Sequence, residues 1–286
     1  MTRRGDLPDH ERESRSHRKP ELLARSLSAL VLVIVALGAT LFSSGSFLVL
    51  VIVASGLILW EWGRLTRGNG LDAAALISAA SVAAIVVLAS IGLHELALLT
   101  AAAAAGALLL MAASPGQAAW SIAGFAYAAL PAFSLIWIRD DKGLGAAAVL
   151  YLFAVAWTTD TASYGAGRLI GGPKLAPRIS PQKTWSGFIV GIATPAFVGL
   201  AFAQALGSTS ALKLAVVSLA LALACQIGDL VESRVKRQFG AKDMSQLIPG
   251  HGGLLDRVDG LLFAAVLAAL VASRDTANPA RGLLIW

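Results

Sequence analysis

The feature that most constrains this chain is a series of long apolar runs. They lie at residues 26–43, 46–62, 73–93, 95–113, 118–138, 144–163, 186–206, 211–230 and 254–273. About 20 apolar residues in a helix cross the hydrocarbon core of a bilayer, and only helices or closed barrels satisfy the backbone there. No alternation typical of strands is apparent. We therefore predict an all-α integral membrane protein, a polytopic bundle of about nine transmembrane helices.

The composition agrees with this architecture. Of 286 residues, 57% are hydrophobic and 14% are charged, whereas soluble domains carry about 25% charged residues. A net charge of +6 could indicate a nucleic-acid partner in a soluble protein. In a membrane protein it reflects the collection of Lys and Arg on the cytoplasmic side, so we expect no nucleic acid. The single cysteine, Cys225, lies in an apolar run, where we predict a packing role.

The distribution of Lys and Arg predicts the orientation. With the N-terminus in the cytoplasm, eighteen of the 23 Lys and Arg residues fall on the inner side. Seven are in the tail, two between Gly63 and Asp72, four in each of the loops 164–185 and 231–253, and one is Arg257. The five on the outer side are Arg139, Lys142, Lys213, Arg274 and Arg281. The positive-inside rule therefore predicts an N-in, C-out topology.

The chain divides into four predicted parts. Residues 1–25, polar and of mixed charge, are expected to form a disordered cytoplasmic tail. Residues 26–143 form N-terminal transmembrane helices that act as a scaffold. Residues 144–273 form a C-terminal transmembrane catalytic region, because it contains the two longest loops and the acidic residues within the spans. Residues 274–286 form an outer C-terminal tail.

Four aspartates stand at the predicted cytoplasmic ends of apolar runs. Asp160 closes the sixth run, Asp229 closes the eighth, and Asp256 and Asp259 open the ninth. Charged residues in spans are costly and usually functional. Asp256 and Asp259 are three residues apart, on one helix face, and carboxylates from two adjacent helix ends can hold Mg²⁺. The alternative is that these acids cap helices or pair with neighbouring arginines.

Cations and glycines share the two long loops. Glycine turns let backbone N–H groups approach an anion, which Lys and Arg then neutralise. Lys183 and Thr184 precede the seventh run, a favourable phosphate position at a helix N-terminus. His251 lies among glycines in the second loop. The alternative is that the loops are basic only because they face the cytoplasm. The cations are Arg168, Lys174, Arg178 and Lys183 in the first loop, and Arg234, Lys236, Arg237 and Lys242 in the second.

Two stretches carry a family resemblance. Residues 233–259, SRVKRQFGAKDMSQLIPGHGGLLDRVD, resemble the signature of phosphatidate cytidylyltransferases, also called CDP-diacylglycerol synthases. Residues 159–187, TDTASYGAGRLIGGPKLAPRISPQKTWSG, resemble a second block of that family, so the likeness covers roughly 150–270. Two positions depart from it. Ala162-Ser163 stands where the family commonly has Gly-Ala, and Ser186 stands where a Glu usually follows Thr-Trp.

The resemblance implies the reaction CTP + phosphatidate → CDP-diacylglycerol + diphosphate. It implies Asp229 and Asp256 as Mg²⁺ ligands, for one or two metal ions, with Asp259 as a third ligand or an orienting group. Lys183 joins these three as a catalytic residue. The implied substrate-binding residues are Asp160, Arg168, Ser180, Thr184, Lys236, Arg237, Lys242, Asp243, His251 and Arg257.

The substrates imply the location. CTP is cytosolic and phosphatidate lies in the cytoplasmic leaflet, so the resemblance implies an active site at the cytoplasmic face of a multi-pass protein in the cell (plasma or inner) membrane. Membrane lipids are the remaining partners. Helix faces rich in Ala and Gly permit close packing, so a homodimer is also compatible with the sequence.

Three alternatives belong to other classes. A transporter would place its acids near the bilayer midplane, often in paired broken helices, whereas these acids are predicted at one side. A protein that only holds anionic headgroups would need the basic loops but not the clustered carboxylates. A CDP-alcohol phosphotransferase also uses helix-end acids on a metal, but its acids are spaced differently and it lacks the HGG turn.

Overall fold

All nine apolar runs are helical in the computed structural model, which describes residues 27–248 and 252–285. The predicted tail at 1–25 therefore lies outside the described residues. The helices within the membrane region are α1 Leu27–Phe42, α2 Ser44–Arg67, α3 Ala73–Ser90, α4 His94–Met111, α5 Pro115–Arg139, α6 Gly145–Leu169, α7 Trp185–Ala193, α8 Pro195–Ala205, α9 Ala211–Gln238 and α10 Leu255–Ala272. The seventh run forms both α7 and α8, because Pro195 has no backbone N–H with which to continue the helix.

Within residues 27–248 and 252–285, six helical segments are long and apolar enough to cross a membrane. These segments are α2, α3, α4, α5, the joined α7 and α8, and α9. Helix α1 is shorter, and α6 and α10, which carry acidic residues of the predicted site, are not among the six. The helical membrane architecture is thus confirmed, while the count of nine spans and the N-in, C-out orientation stay predictions.

Helices α6 and α9 are longer than the apolar runs that predicted them. They end at Leu169 and Gln238 rather than near 163 and 230. The acids Asp160 and Asp229 therefore lie well inside these helices and do not close them. Hydropathy marks where a chain becomes polar, but a helix continues past that point as long as its backbone hydrogen bonds do.

A small β-hairpin follows α6. Strand β1, Lys174–Ala176, pairs antiparallel with β2, Ser180–Thr184. The hairpin was not predicted, because the segment lacks an alternating pattern. Contacts from outside hold it: Arg237 of α9 donates to the carbonyl of Ile179 (3.3 Å), and the Ser186 hydroxyl donates to the carbonyl of Gly171. The prediction of an all-α protein is therefore incomplete, because it lacks this β-hairpin.

Close helix crossings shape the C-terminal half. On α7, a side chain at Gly187 or Gly191 would collide with Ser163 of α6, and Gly191 also faces Gln226 of α9. On α9, a Cβ atom at Gly228 would lie 2.6 Å from the carbonyl oxygen of Asp259 in α10. Small residues at such crossings let helix backbones approach in membranes.

The end of the chain packs back on the bundle. Helix α11, Pro279–Leu284, buries Ala280, Leu283 and Leu284, and Arg274 donates to the carbonyl of Gly282 (2.6 Å). The predicted outer tail is therefore an ordered cap on the helices within its described part, 274–285. The buried Cys225 lies against Gly260, as expected for a packing role.

Candidate active site

Three carboxylates meet where α9 crosses α10. Asp229 and Glu232 lie one turn apart on α9, and Asp259 lies on α10; oxygens of the three lie within 4.8 Å of one another. The crossing at Gly228 and Gly260 brings them together, because neither glycine has a side chain to keep the helices apart. Like charges at this separation repel, so positive charge or a bound proton has to offset them.

Glu232 is the most enclosed member of this acidic cluster. It is 1% exposed, and its Oε2 pairs with the Lys236 ammonium at 2.5 Å. Its Oε1 is buried and has no hydrogen-bond partner among the described residues. A buried carboxylate oxygen without a donor is costly, and a hard cation would satisfy it. The donor set, carboxylate oxygens only, fits Mg²⁺.

Glu232 was missed by the sequence analysis, although a signal was available. It follows Asp229 by three residues on the same helix, and Lys236 follows Glu232 by four, so all three share one face of α9. The predicted apolar run ends at 230, so the prediction places Glu232 in the loop that follows it.

Asp256 lies beside Glu232 at the edge of the acidic cluster. Its Oδ1 accepts from the Lys236 ammonium (2.6 Å), and its Oδ2 accepts from the backbone N–H of Met244 (2.9 Å) and of Gly253 (2.8 Å). Residues three apart on a helix diverge by about 60° around its axis, so Asp256 faces the start of its own helix while Asp259 faces α9. Asp256 therefore joins the acidic cluster from the side of Glu232 and Lys236, and its predicted role as a metal ligand beside Asp229 and Asp259 stays a prediction.

Lys183 approaches the cluster from the hairpin side. Its ammonium pairs with Asp229 Oδ2 at 2.6 Å and donates to Gln226 Oε1 at 3.4 Å. The next residue, Thr184, caps α7 by accepting from the Gly187 N–H at 3.2 Å, so β2 delivers the lysine directly at a helix N-terminus. This agrees with the predicted position of a cation and a hydroxyl at the start of the seventh run.

One cavity of about 1090 Å³ collects most of the predicted site. Its far wall is apolar, formed by side chains of α1, α2, α5 and α6 such as Leu32, Phe47, Leu50, Leu135 and Phe153. Arg168, which also lines the cavity, donates to the hydroxyl of Tyr164 (2.9 Å). The polar wall contains Asp160, Arg168, Ser180, Lys183, Thr184, Asp229, Glu232, Lys236, Asp243, Asp256, Arg257 and Asp259.

Two predicted substrate-binding residues, Arg237 and Lys242, are not among the described residues that line the cavity. Arg237 and Lys242 are exposed, and Arg237 instead donates to the carbonyls of Ile179 and Ala241, which ties the hairpin to the end of α9. His251 lies outside the described residues. Ser186, at the position where the resemblance leads us to expect a glutamate, bonds to Gly171 and to the Thr184 hydroxyl.

A second missed acid is Glu61 in α2. It is fully buried and accepts hydrogen bonds from the segment that leads into α10. An acid within an apolar run was a signal in itself. The predicted scaffold role of the N-terminal helices gives this acid no function, so the sequence does not assign it to the site.

Comparisons with known proteins point to one activity. Residues 23–274 match the sequence profile of the cytidylyltransferase family. The chain is 40% identical over 249 residues to a phosphatidate cytidylyltransferase of Brucella suis, which covers 87% of this chain and 92% of that protein.

Two further relatives match over about half of this chain. A phosphatidate cytidylyltransferase of Staphylococcus saprophyticus is 38% identical over 152 residues, 53% of this chain and 57% of that protein. One of Mycobacterium leprae is 41% identical over 151 residues, 53% of this chain and 46% of that protein.

Proposed function

The chain belongs to the cytidylyltransferase family, and we propose that it transfers the cytidylyl group of CTP to phosphatidate, giving CDP-diacylglycerol and diphosphate. The cavity carries this proposal. It joins a polar wall of acids and lysines to an apolar wall between α1, α2, α5 and α6. A nucleotide with its metal matches the first wall, and the acyl chains of a lipid match the second.

The reaction needs charge control more than proton transfer. An oxygen of the lipid phosphate attacks the α-phosphorus of CTP, and the bond from that phosphorus to diphosphate breaks. The attacking monoester is already largely ionised near pH 7, since its second pKa is about 6, so no general base is required. The protein has to bring two polyanions together and stabilise the charge that develops between them.

The residues divide this work by position. Asp229, Glu232 and Asp259 would hold magnesium, with Asp256 a further ligand or the group that fixes Lys236. Bound Mg²⁺ would supply positive charge to the attacking and leaving oxygens. Lys183 and Lys236 stand on either side of the acidic cluster, where each ammonium can bind a phosphate oxygen. The start of α7 behind Lys183 and Thr184 adds backbone N–H groups for the same purpose.

The remaining polar wall would bind and orient the two substrates. We propose Asp160, Arg168, Ser180, Asp243 and Arg257 in this role, since each lines the cavity. Arg237 would contribute indirectly, because it donates to the carbonyl of Ile179 in the hairpin that carries Ser180 and Lys183. Lys242 and His251 are proposed on the family resemblance alone.

The site is proposed to lie at the cytoplasmic face of the cell membrane. The ends of α6 and α9 and the start of α10 frame the site. Together with the loops beside them, they carry nine of the eighteen cations counted as inner. Three of the outer cations lie elsewhere. Arg139 donates to the carbonyl of Thr40 in α1 (2.8 Å), and Lys142 and Arg281 line a separate cavity.

An assay with labelled CTP tests the reaction. Purified protein receives phosphatidate and CTP labelled at the α-phosphate, with Mg²⁺ or with EDTA. We expect label in the lipid extract only when phosphatidate and Mg²⁺ are both present, whereas label at the γ-phosphate stays in the aqueous phase as diphosphate. Asp229→Ala serves as the inactive control. Absence of lipid-soluble label across several phosphatidates and divalent metals would overturn the proposal.

A further inference from the structure

Helix α10 begins without a capping side chain of its own. The residue at its N-cap position is Leu254, which has no side-chain oxygen, and no side-chain cap bond forms there. The first N–H groups of a helix lack intrahelical partners and are costly to bury unsatisfied. Because α10 carries Asp256 and Asp259 in its first two turns, the manner in which this end is held bears on the site.

The missing cap comes from a different part of the chain. The Glu61 carboxylate in α2 accepts from the N–H of Leu254 and from the N–H of Leu255, each at 2.8 Å. It also accepts from the Ser245 hydroxyl at 2.6 Å. One side chain, almost two hundred positions away in sequence, thus holds both ends of the segment 245–255.

The approach is tight. A Cβ atom at Gly253 would lie 2.5 Å from Glu61 Oε1, so only glycine lets the backbone reach the carboxylate. Gly252, with φ of 80°, turns the chain there in a conformation that other residues rarely adopt. Gly252 and Gly253 therefore allow this turn to approach Glu61 of α2, in the N-terminal half of the protein.

Helix geometry stabilises the buried carboxylate. Glu61 is fully buried, and no ion pair to it is found within residues 27–248 and 252–285. Two backbone N–H groups at the positive end of the α10 dipole stabilise its charge instead. This stabilisation exists only while the start of α10 stays in place, so the carboxylate and the helix end fix each other.

We propose that Glu61 is a positioning residue for the acidic cluster. By holding the start of α10 against α2, it sets where Asp259 stands relative to Asp229 and Glu232, and where Asp256 meets Lys236. The N-terminal helices are then more than a scaffold, because α2 sets the geometry of the site on α9 and α10. The inference deepens the proposed cytidylyl transfer and rests on it.

The variant Glu61→Gln tests this role in the full-length protein. The neutral amide keeps one acceptor oxygen and loses the second acceptor and the charge. Hydrogen exchange followed by mass spectrometry should show faster exchange in peptides covering 244–256, with peptides of α3 and α4 unchanged. The Mg²⁺ concentration for half-maximal turnover should rise about ten-fold or more, as it does when groups that orient metal ligands are lost, while the KM for phosphatidate changes little. Glu95→Gln, an exposed acid on α4, is the matched control.

Ser245→Ala provides a milder variant should Glu61→Gln fail to fold. It removes one of the three bonds and leaves the carboxylate on α10, so a smaller change of the same kind in peptides 244–256 is expected. Unchanged exchange there in either folded variant would overturn the inference, as would faster exchange spread over all helices. The exchange measurement needs no turnover, so it can fail or succeed independently of the proposed reaction.

Discussion

Asp229 and Asp256 both line the cavity, but their surroundings differ. The side chain of Asp229 is 37% exposed and pairs with Lys183. The side chain of Asp256 is 5% exposed, pairs with Lys236, and accepts two backbone N–H bonds. An exposed ion pair contributes about 0–1 kcal/mol to stability, whereas removal of one partner from a buried pair costs about 3–5 kcal/mol. The two acids should therefore be separable by experiment.

We predict that Asp229→Asn and Asp256→Asn both abolish turnover but differ in stability. Asp229→Asn should lower the free energy of unfolding by less than about 1 kcal/mol. Asp256→Asn should lower it by about 3 kcal/mol, because the single amide oxygen can accept from Lys236 or from the two backbone N–H groups but not from both, and the buried charge opposite Lys236 is lost. Thermal unfolding in detergent, with the initial rate of CDP-diacylglycerol formation, measures both effects. Near-normal Mg²⁺-dependent turnover in either variant would refute its assignment.

Glu232→Gln should weaken metal binding. The substitution keeps the shape of the side chain, removes its charge, and leaves Lys236 paired to Asp256 alone. Loss of a direct ligand should cost at least the 10–100-fold in metal affinity that follows loss of an outer partner. Binding of Mn²⁺, monitored by electron paramagnetic resonance without substrates, reports this directly. Glu95→Gln is the control, and equal Mn²⁺ affinity in the two variants would remove Glu232 from the metal site.

At the scale of elements, the crossing of α9 and α10 decides the site. A Cβ at Gly228 would lie 2.6 Å from the Asp259 carbonyl oxygen, and one at Gly260 would lie 3.2 Å from Cys225. The acids can meet only because both helices offer glycine at the crossing. Glycines also let α7 pack closely against α6 at Gly187 and Gly191. This packing positions the hairpin and Lys183 at the cavity.

Gly228→Ala should separate the acids without touching one of them. The added methyl group meets backbone, which cannot rotate away, so the helices must shift. Overpacking of this kind costs about 1–3 kcal/mol, and turnover should fall together with Mn²⁺ affinity. Gly106→Ala on α4, where a Cβ meets nothing within 4 Å, is the matched control. A variant with normal turnover and normal Mn²⁺ affinity would show that the crossing tolerates the shift.

At the scale of the whole molecule, the predicted inner and outer cations gather at different places. Lys242 follows the end of α9 near the site, whereas Lys142 lies between α5 and α6, beside Asn278 and Arg281 of the C-terminal segment. Both lysines are exposed. The positive-inside rule assigns them to opposite faces of the membrane.

Labelling of single cysteines can test this orientation. Cys225 is the only cysteine and is buried, so the wild-type protein should react little with a membrane-impermeant maleimide. We expect Lys242→Cys to be labelled only in inverted membrane vesicles and Lys142→Cys only in right-side-out vesicles. Labelling of both cysteines from the same side of the membrane would refute the predicted topology, because that topology places an odd number of spans between positions 142 and 242.

The amino-acid sequence was sufficient to predict the membrane architecture, the family and most residues of the candidate site. Long apolar runs with few charged residues identify the segments that lie in lipid. Because the thickness of the bilayer is known, the length of each run predicts a membrane-spanning helix. These signals are local, so they predicted the nine helical segments and the polar positions near 160, 183, 229 and 256–259. The same locality explains why the helix ends and the hairpin were missed, since these depend on backbone bonding and on contacts such as Arg237 with Ile179.

Only the tertiary structure decided which carboxylates meet. Spacing along one helix grouped Asp256 with Asp259, but partners on other helices decide where each side chain points. Asp256 is held by Lys236 and by the backbone at the start of α10. The helix crossing at Gly228 places Asp259 next to Asp229 and Glu232. The capping of α10 by Glu61 joins residues far apart in sequence, and such a contact leaves no periodic trace in the chain. Which residues can form a site is therefore a local property, and which of them do is settled by packing.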